Sequence, residues 1–225
     1  MSRASLIADA GEADKFFDAH LSASPTEVAD VLTRLGDAGA LSFPVLDAEG
    51  CAALVVATEA LAFRPAHPTI GTGNKLVRQE FDICMDVPAA SAYGDFAHTL
   101  DRLFDAALAR LDFPPLERPF GFNDLVVQIY TPGALGITPH LDHARYVGLV
   151  ALVVVCGAAR YFLCDDREGH GSREVAAPAG HLVLMVAPGF EDRRERPFHS
   201  VSDITERRIS FGLRVDTRPA GDPTY

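Results

Sequence analysis

The rhythm of residues 120–215 constrains this chain more than any other feature. Short apolar runs alternate there with Gly, Pro and Asp punctuation. The segment predicts strands at 124–131, 136–142, 147–156, 160–164, 173–176, 181–187, 198–202 and 207–215. Short strands at this spacing cannot bury a face alone, and they point to a sandwich or barrel of jelly-roll type.

Ahead of that segment the period changes. Ser24-Pro25-Thr26-Glu27 marks a helix start: Ser24 caps, Pro25 suits the first turn and Glu27 closes a capping box. Val28, Val31, Leu32 and Leu35 follow at helical spacing, and Gly36 marks the end. Leu41 to Leu46 reads as a strand and Asp47 to Ala62 as a second helix. Leu76 to Cys84 reads as one strand within a loop-rich stretch, 63–92. Ala92 to Leu111 reads as a third helix, with Phe96, Leu100, Leu103, Phe104, Ala107 and Leu108 on one face. The expected class is mainly β with flanking helices (α+β). One domain of 225 residues is expected: a helical part with a lid-like segment over 1–119, the strand core over 120–215 and a tail over 216–225. Residues 1–22 read as a polar, Ala-rich arm.

Charge narrows the partners. Lys and Arg total 20 against 31 Asp and Glu, a formal charge of −11. Binding phosphate over a broad face needs a basic surface, so nucleic acid held by general electrostatics and an anionic membrane are both disfavoured. The longest apolar run, Tyr146 to Ala159, falls short of the ~18 residues a membrane helix needs. Cys51, Cys84, Cys156 and Cys164 lie far apart with no CxxC spacing. That predicts reduced thiols in a cytoplasm, not a disulfide framework or a zinc site. The N-terminal stretch lacks the apolar core of an export signal.

The chemistry concentrates in His140-Leu141-Asp142 and His199. On a strand, residues i and i+2 share a face, so His140 and Asp142 can reach a common point. His199, 199 − 142 = 57 residues further on, brings a second imidazole from a distant strand. Two His and one carboxylate on one face of an octahedron leave three positions open, the facial triad of non-haem iron(II) oxygenases. His143, at odd offset from Asp142, points to the opposite face. In the last predicted strand Arg208, Ser210, Gly212 and Arg214 share a face. A guanidinium grips a carboxylate through two charge-assisted hydrogen bonds, and a hydroxyl adds a third. This suits the distal carboxylate of 2-oxoglutarate. Gln128 and Tyr130 share a parity just before the Thr131-Pro132-Gly133 turn, and Tyr130 can offer a phenol to the same carboxylate.

QIYTPGALGITPHLD (128–142), RPFHSV (196–201) and RRISFGLR (207–214) together resemble the iron(II)/2-oxoglutarate-dependent dioxygenases. Among these the AlkB-like branch is most similar. It has a polar residue, x, Tyr, x, Pro, Gly ahead of the HxD, and an Arg-x5-Arg pair in the final strand. The resemblance covers residues 120–215 and implies a double-stranded β-helix core with the N-terminal helices packed on it. It implies Fe(II) held by His140, Asp142 and His199. It also implies 2-oxoglutarate held by Arg208 with Tyr130, Ser210, Arg214 and Gln128, and O2 as the third reactant. The implied outcome is hydroxylation with release of succinate and CO2. Gln128 and Ser210 stand where AlkB-like enzymes usually carry Asn. Arg208-x-Ser210 is similar to the Arg-x-Ser of the isopenicillin N synthase-like branch.

Candidate substrate contacts are Arg145, Phe162 and Asp165 near the mouth, and Arg78 with Glu80 and Asp82 alternating along the 76–84 strand. The chain has no Trp to stack on a flipped base, and Arg64, Lys75 and Arg78 are the sole Lys or Arg residues of 60–100. These facts and the acidic balance favour a small-molecule metabolite over alkylated nucleic acid as substrate. Protein side-chain hydroxylation is a further alternative, as is a non-catalytic jelly-roll protein holding another metal. The run Glu191 to Arg196 reads as a solvated loop that can rim the site ahead of His199.

Overall fold

The computed structural model describes residues 15–218. Two antiparallel sheets enclose a core in the manner of a jelly roll, or double-stranded β-helix. The strands are β1 (Ala40–Pro44), β2 (Arg64–Pro65), β3 (Thr69–Ile70), β4 (Val77–Glu80), β5 (Asp82–Cys84), β6 (Asp124–Tyr130) and β7 (Gly136–His140), then β8 (Tyr146–Cys156), β9 (Arg160–Cys164), β10 (Arg173–Val175), β11 (His181–Val186), β12 (Phe198–Ser202) and β13 (Arg208–Asp216). A seven-stranded sheet runs β1-β11-β8-β13-β6-β5-β2, and a six-stranded sheet runs β10-β9-β12-β7-β4-β3. The expected arm over 1–22 and tail over 216–225 lie partly outside the described residues; residues 15–20 are helical.

Period-2 alternation sorts the side chains of the larger sheet. Leu149, Ala151, Val153 and Val155 of β8, and Ile209, Phe211 and Leu213 of β13, join a core under the helices. Val150 and Leu152 face a second core between the sheets. With both faces covered, β8 reads as a near-continuous apolar run. The helices α1 (Pro25–Ala38), α2 (Ala48–Ala57) and α3 (Ala92–Leu108) contribute Leu32, Leu35, Leu54, Phe96, Leu100 and Phe104 to the core under the larger sheet.

Local chemistry sets the helix ends. Ser24 Oγ accepts from the Glu27 N–H at 3.3 Å, and the Glu27 carboxylate accepts from the Ser24 N–H at 2.8 Å, the capping box read from the sequence. α2 stops before Ala62. The Thr58 hydroxyl bonds back to the Leu54 carbonyl and to the Tyr93 phenol, both at 2.8 Å, and a 3-10 turn follows at Thr58–Ala60. α3 stops at Leu108 rather than Leu111, where the Arg110 N–H tightens onto Ala107 at 3.0 Å.

Two strand expectations need correction. The 76–84 strand divides at Phe81, which is buried between the sheets and packs on Tyr130 at 5.0 Å between ring centroids. Val77–Glu80 pairs with β7 in the smaller sheet, whereas Asp82–Cys84 pairs with β6 in the larger. Arg78 and Glu80 therefore do not share a face with Asp82. The 136–142 strand ends at His140, where pairing with β12 ends at His140↔His199. Asp142 and His143 lie in the connection to β8.

Phe211 is fully buried, with Tyr93 edge-on at 5.0 Å, and joins β13 to α3. Phe211→Ala is expected to cost about 3–5 kcal/mol. Urea denaturation should show a lower midpoint at unchanged slope.

Candidate active site

β7 and β12 lie side by side and set His140 directly opposite His199. Their rings stand 4.2 Å apart between centroids. An extra residue sits on β7: Ile137 to His140 spans 140 − 137 = 3 steps against 201 − 199 = 2 on β12. This bulge turns Ile137 and His140 to one face, which strict alternation forbids. Gly136, at φ 82, makes the close approach possible, since a Cβ there would meet the Val201 carbonyl oxygen at 2.0 Å.

His140, Asp142 and His199 each offer one ligand atom, and these atoms all lie within 4.8 Å of one another. The imidazole tautomers follow from their partners. His140 Nδ1 lies 3.0 Å from the Thr138 carbonyl, and His199 Nδ1 lies 3.2 Å from the Pro197 carbonyl. A carbonyl can only accept, so each Nδ1 carries a hydrogen and Nε2 is the atom of each ring left to face a metal. Burial, then the neighbouring His199, pushes the His140 pKa down to about 3, so the ring is neutral at physiological pH. Burial disfavours the Asp142 carboxylate, but His199, Arg214 and His140 outweigh it and lower its pKa. His199 Nε2 and Asp142 Oδ2 stand 3.8 Å apart, too far for a hydrogen bond and suited to a shared ion. Two imidazoles and one carboxylate fit iron(II).

The second polar cluster lies on the inner face of β6 and β13. Arg208 pairs across from Tyr130, and Ser210 from Gln128. The Arg208 guanidinium lies 5.3 Å from the centre of the Tyr130 ring. Gln128 Oε1 accepts from the Ser210 hydroxyl at 3.3 Å and from the Tyr130 phenol at 3.4 Å. Arg208 is 1% exposed, and its Nε and Nη1 have no hydrogen-bond partner among the described residues. A buried charge left so costs several kcal/mol unless an anion meets it, so the cluster fits the distal carboxylate of 2-oxoglutarate. Tyr161 stacks on His199 at 5.8 Å and donates its phenol hydrogen to Met185 Sδ at 2.7 Å.

The remaining candidates divide. Arg214 lies 3.4 Å from Asp124 and over the Tyr146 ring at 5.2 Å. Arg145 lies over the same ring at 5.0 Å and pairs with Asp216 at 2.9 Å. Arg218 meets the same Asp216 oxygen at 2.7 Å. Burial opposes the Asp216 charge, but Arg218 and Arg145 outweigh it and hold the pKa at about 2. These ion pairs stand at the strand ends that adjoin Asp142. Phe162 lies between Tyr161 and Leu163, which join the inter-sheet core; its own ring faces the other way, under the Arg160 guanidinium at 4.6 Å. Asp165 lines a cleft with Arg173, Arg193 and Arg196. Arg78 is exposed, with its backbone N–H on Thr138 Oγ1 at 3.0 Å. Arg196, read from the sequence only as the end of a solvated run that can rim the site, donates through Nη1 to the Asp142 backbone carbonyl. Its nearness to His199 in the chain was the available signal.

No protein-family model matches the chain, and no curated protein matches it either. Solved structures do. A prolyl-4-hydroxylase of Pseudomonas putida is similar at TM-score 0.58 and 22% identity, over 84% of this chain and 98% of that one. A prolyl hydroxylase of Trichoplax adhaerens, in complex with a hypoxia inducible factor oxygen degradation domain peptide fragment, is similar at TM-score 0.59 and 13% identity, over 85% and 90%. A 2OG-Fe(II) oxygenase family oxidoreductase of Burkholderia pseudomallei is similar at TM-score 0.58 and 13% identity, over 85% and 94%. At these identities the likeness establishes the fold. It lends the AlkB-like branch no support.

A metal ion that binds the folded chain stabilises it by mass action, by about 2.7 kcal/mol at a hundredfold excess over Kd. Manganese(II) should therefore raise the melting temperature by several degrees. Asp142→Ala should abolish that rise. An equal rise in the variant would assign the ion to another place.

Proposed function

We propose that this chain is an iron(II)- and 2-oxoglutarate-dependent dioxygenase that hydroxylates a small polar metabolite. One observation carries the reading: Arg208 is buried with two nitrogens unpartnered, and Tyr161, which stacks on His199, feels the charges of both Arg208 and Asp142. An apolar side chain would fill that position at no electrostatic cost. A guanidinium there makes sense when a carboxylate completes it.

In this reading His140 and His199 would hold the metal through Nε2, and Asp142 through a carboxylate oxygen. Their Nδ1–H bonds to Thr138 and Pro197 hold both rings in that orientation before the ion arrives. Arg208 grips the distal carboxylate of 2-oxoglutarate through Nε and Nη1, and the Ser210 and Tyr130 hydroxyls turn their hydrogens from Gln128 to that carboxylate when it binds. Until then Gln128 Oε1 accepts from both hydroxyls and holds them at the site. When bound, iron(II) with 2-oxoglutarate and O2 supplies the oxidation: 2-oxoglutarate leaves as CO2 and succinate with one oxygen atom, and the other enters a substrate C–H bond. A void of about 10 Å³, room for roughly one water molecule, borders Asp142 and His199.

Support for a small polar substrate comes from the paired charges beside Asp142, Arg145 with Asp216 and Arg214 with Asp124, together with the net charge of −11. A peptide substrate is the second reading, favoured by the likeness to the peptide-bound Trichoplax enzyme. An AlkB-like demethylase rests on the polar-x-Tyr-x-Pro-Gly run at 128–133 and the Arg208–Arg214 spacing. The free thiols Cys51, Cys84, Cys156 and Cys164 suit a reducing cytoplasm.

Succinate release from 2-oxoglutarate with iron(II) tests the class. Replacing Arg208 by Met should raise the apparent KM for 2-oxoglutarate by about 100-fold, and Arg208→Lys should recover part of it. Unchanged KM in the Met variant would remove the anchor role. A gain of one oxygen atom, sought in metabolite extracts, proline-containing peptides and methylated oligonucleotides, separates the substrate readings.

A further inference from the structure

The carboxylate arm of the site has no strand beneath it. β7 ends at His140, so Asp142 stands in the connection to β8. The far end of that connection is tied down: the Tyr146 N–H donates to the His143 carbonyl at 3.0 Å, and the Thr217 N–H donates to the Arg145 carbonyl at 3.1 Å. At Asp142 itself the tie is a side chain. Arg196 Nη1 donates to the Asp142 backbone carbonyl.

Arg196 stands 199 − 196 = 3 residues before His199, at the root of β12. Pro197, between them, offers the carbonyl that accepts from His199 Nδ1. One short segment therefore fixes two arms of the cluster, His199 through the Pro197 carbonyl and Asp142 through the Arg196 guanidinium. Arg196 is half-buried and borders both the small void beside Asp142 and His199 and a larger cleft of about 350 Å³ against the end of α1. Fixing a loop residue before the ion arrives removes that ordering cost from metal binding.

We propose that Arg196 is a positioning residue that holds the Asp142 carboxylate ready for metal by gripping the Asp142 backbone carbonyl. The inference rests on the metal site proposed above. It assigns work to a residue in the charged 191–196 run, which otherwise reads as solvated loop.

Cobalt(II) titration of the full chain, read by visible absorption, tests it. The variants are Arg196→Met, which keeps bulk and loses every donor, and Arg196→Lys, which keeps one reachable donor; Asp142→Ala is the control. Removing a group that orients a metal ligand typically weakens metal binding 10–100-fold. Arg196→Met should fall in that range, with a changed cobalt(II) spectrum, while circular dichroism and the metal-free melting temperature stay near the parent's. Arg196→Lys should recover part of the affinity. Parent-like cobalt(II) affinity and spectrum in Arg196→Met would overturn the proposal. So would a loss of binding matched by loss of fold in both Arg196 variants. If the parent fails to bind cobalt(II), or Asp142→Ala binds as the parent does, the metal site itself is wrong and the positioning role falls with it.

Discussion

The alternation along β13 ties the fold to the site. Ile209, Phe211 and Leu213 pack under the helices, while Arg208 and Ser210 line the space between the sheets with β6 partners. A one-residue slip in register would bury three apolar side chains among polar groups and press a guanidinium into the helix core. The same apolar contacts that stabilise the sheet therefore hold the carboxylate anchor in place. The Arg208 charge is tolerated because those contacts outweigh its desolvation, and because Tyr130 lies against it.

Much of this was legible in sequence because it depends on local period. The helix start at Ser24 and the β13 face carrying Arg208 and Ser210 needed only a window of a few residues. His140 and His199 were legible as a pair, but their juxtaposition depends on a bulge between Ile137 and His140 that no local pattern announces. Asp142 was expected on a strand and arrives from a loop. The reading from residue types still brought it to the cluster, since a loop and a strand can reach the same point. Phe81 hides a change of sheet within one apolar run: propensity marks a strand but does not say which neighbour it pairs with. Phe162 turns away from the core because its parity is opposite to that of Tyr161 and Leu163, a contrast visible only once the inward face of β9 is known.

The charged residues near the mouth follow a different rule. Asp216 receives two guanidiniums, Arg145 and Arg218, on one oxygen, and Arg145 and Arg214 both lie over Tyr146. A chain with net charge −11 has thus gathered arginine where its strand ends meet the proposed metal site. Global charge disfavours a nucleic-acid partner through long-range repulsion, but at the mouth the local field decides what enters, because its ion pairs are partly buried and screened less than surface charges.

The three candidate ligands are held with unequal firmness. Two are held by ladder hydrogen bonds of the smaller sheet, where displacement would break paired backbone groups. The third is held by one guanidinium reaching across from the root of β12. Rigid strands fix His140 and His199 relative to each other to the precision of the sheet; the carboxylate depends on the ties along its loop, of which the Arg196 contact is the one at Asp142 itself. Whatever moves the 193–197 segment therefore moves the least constrained ligand first. That segment also borders the cleft against the end of α1, so the firmness of the cluster and the packing of the N-terminal helix meet at one side chain.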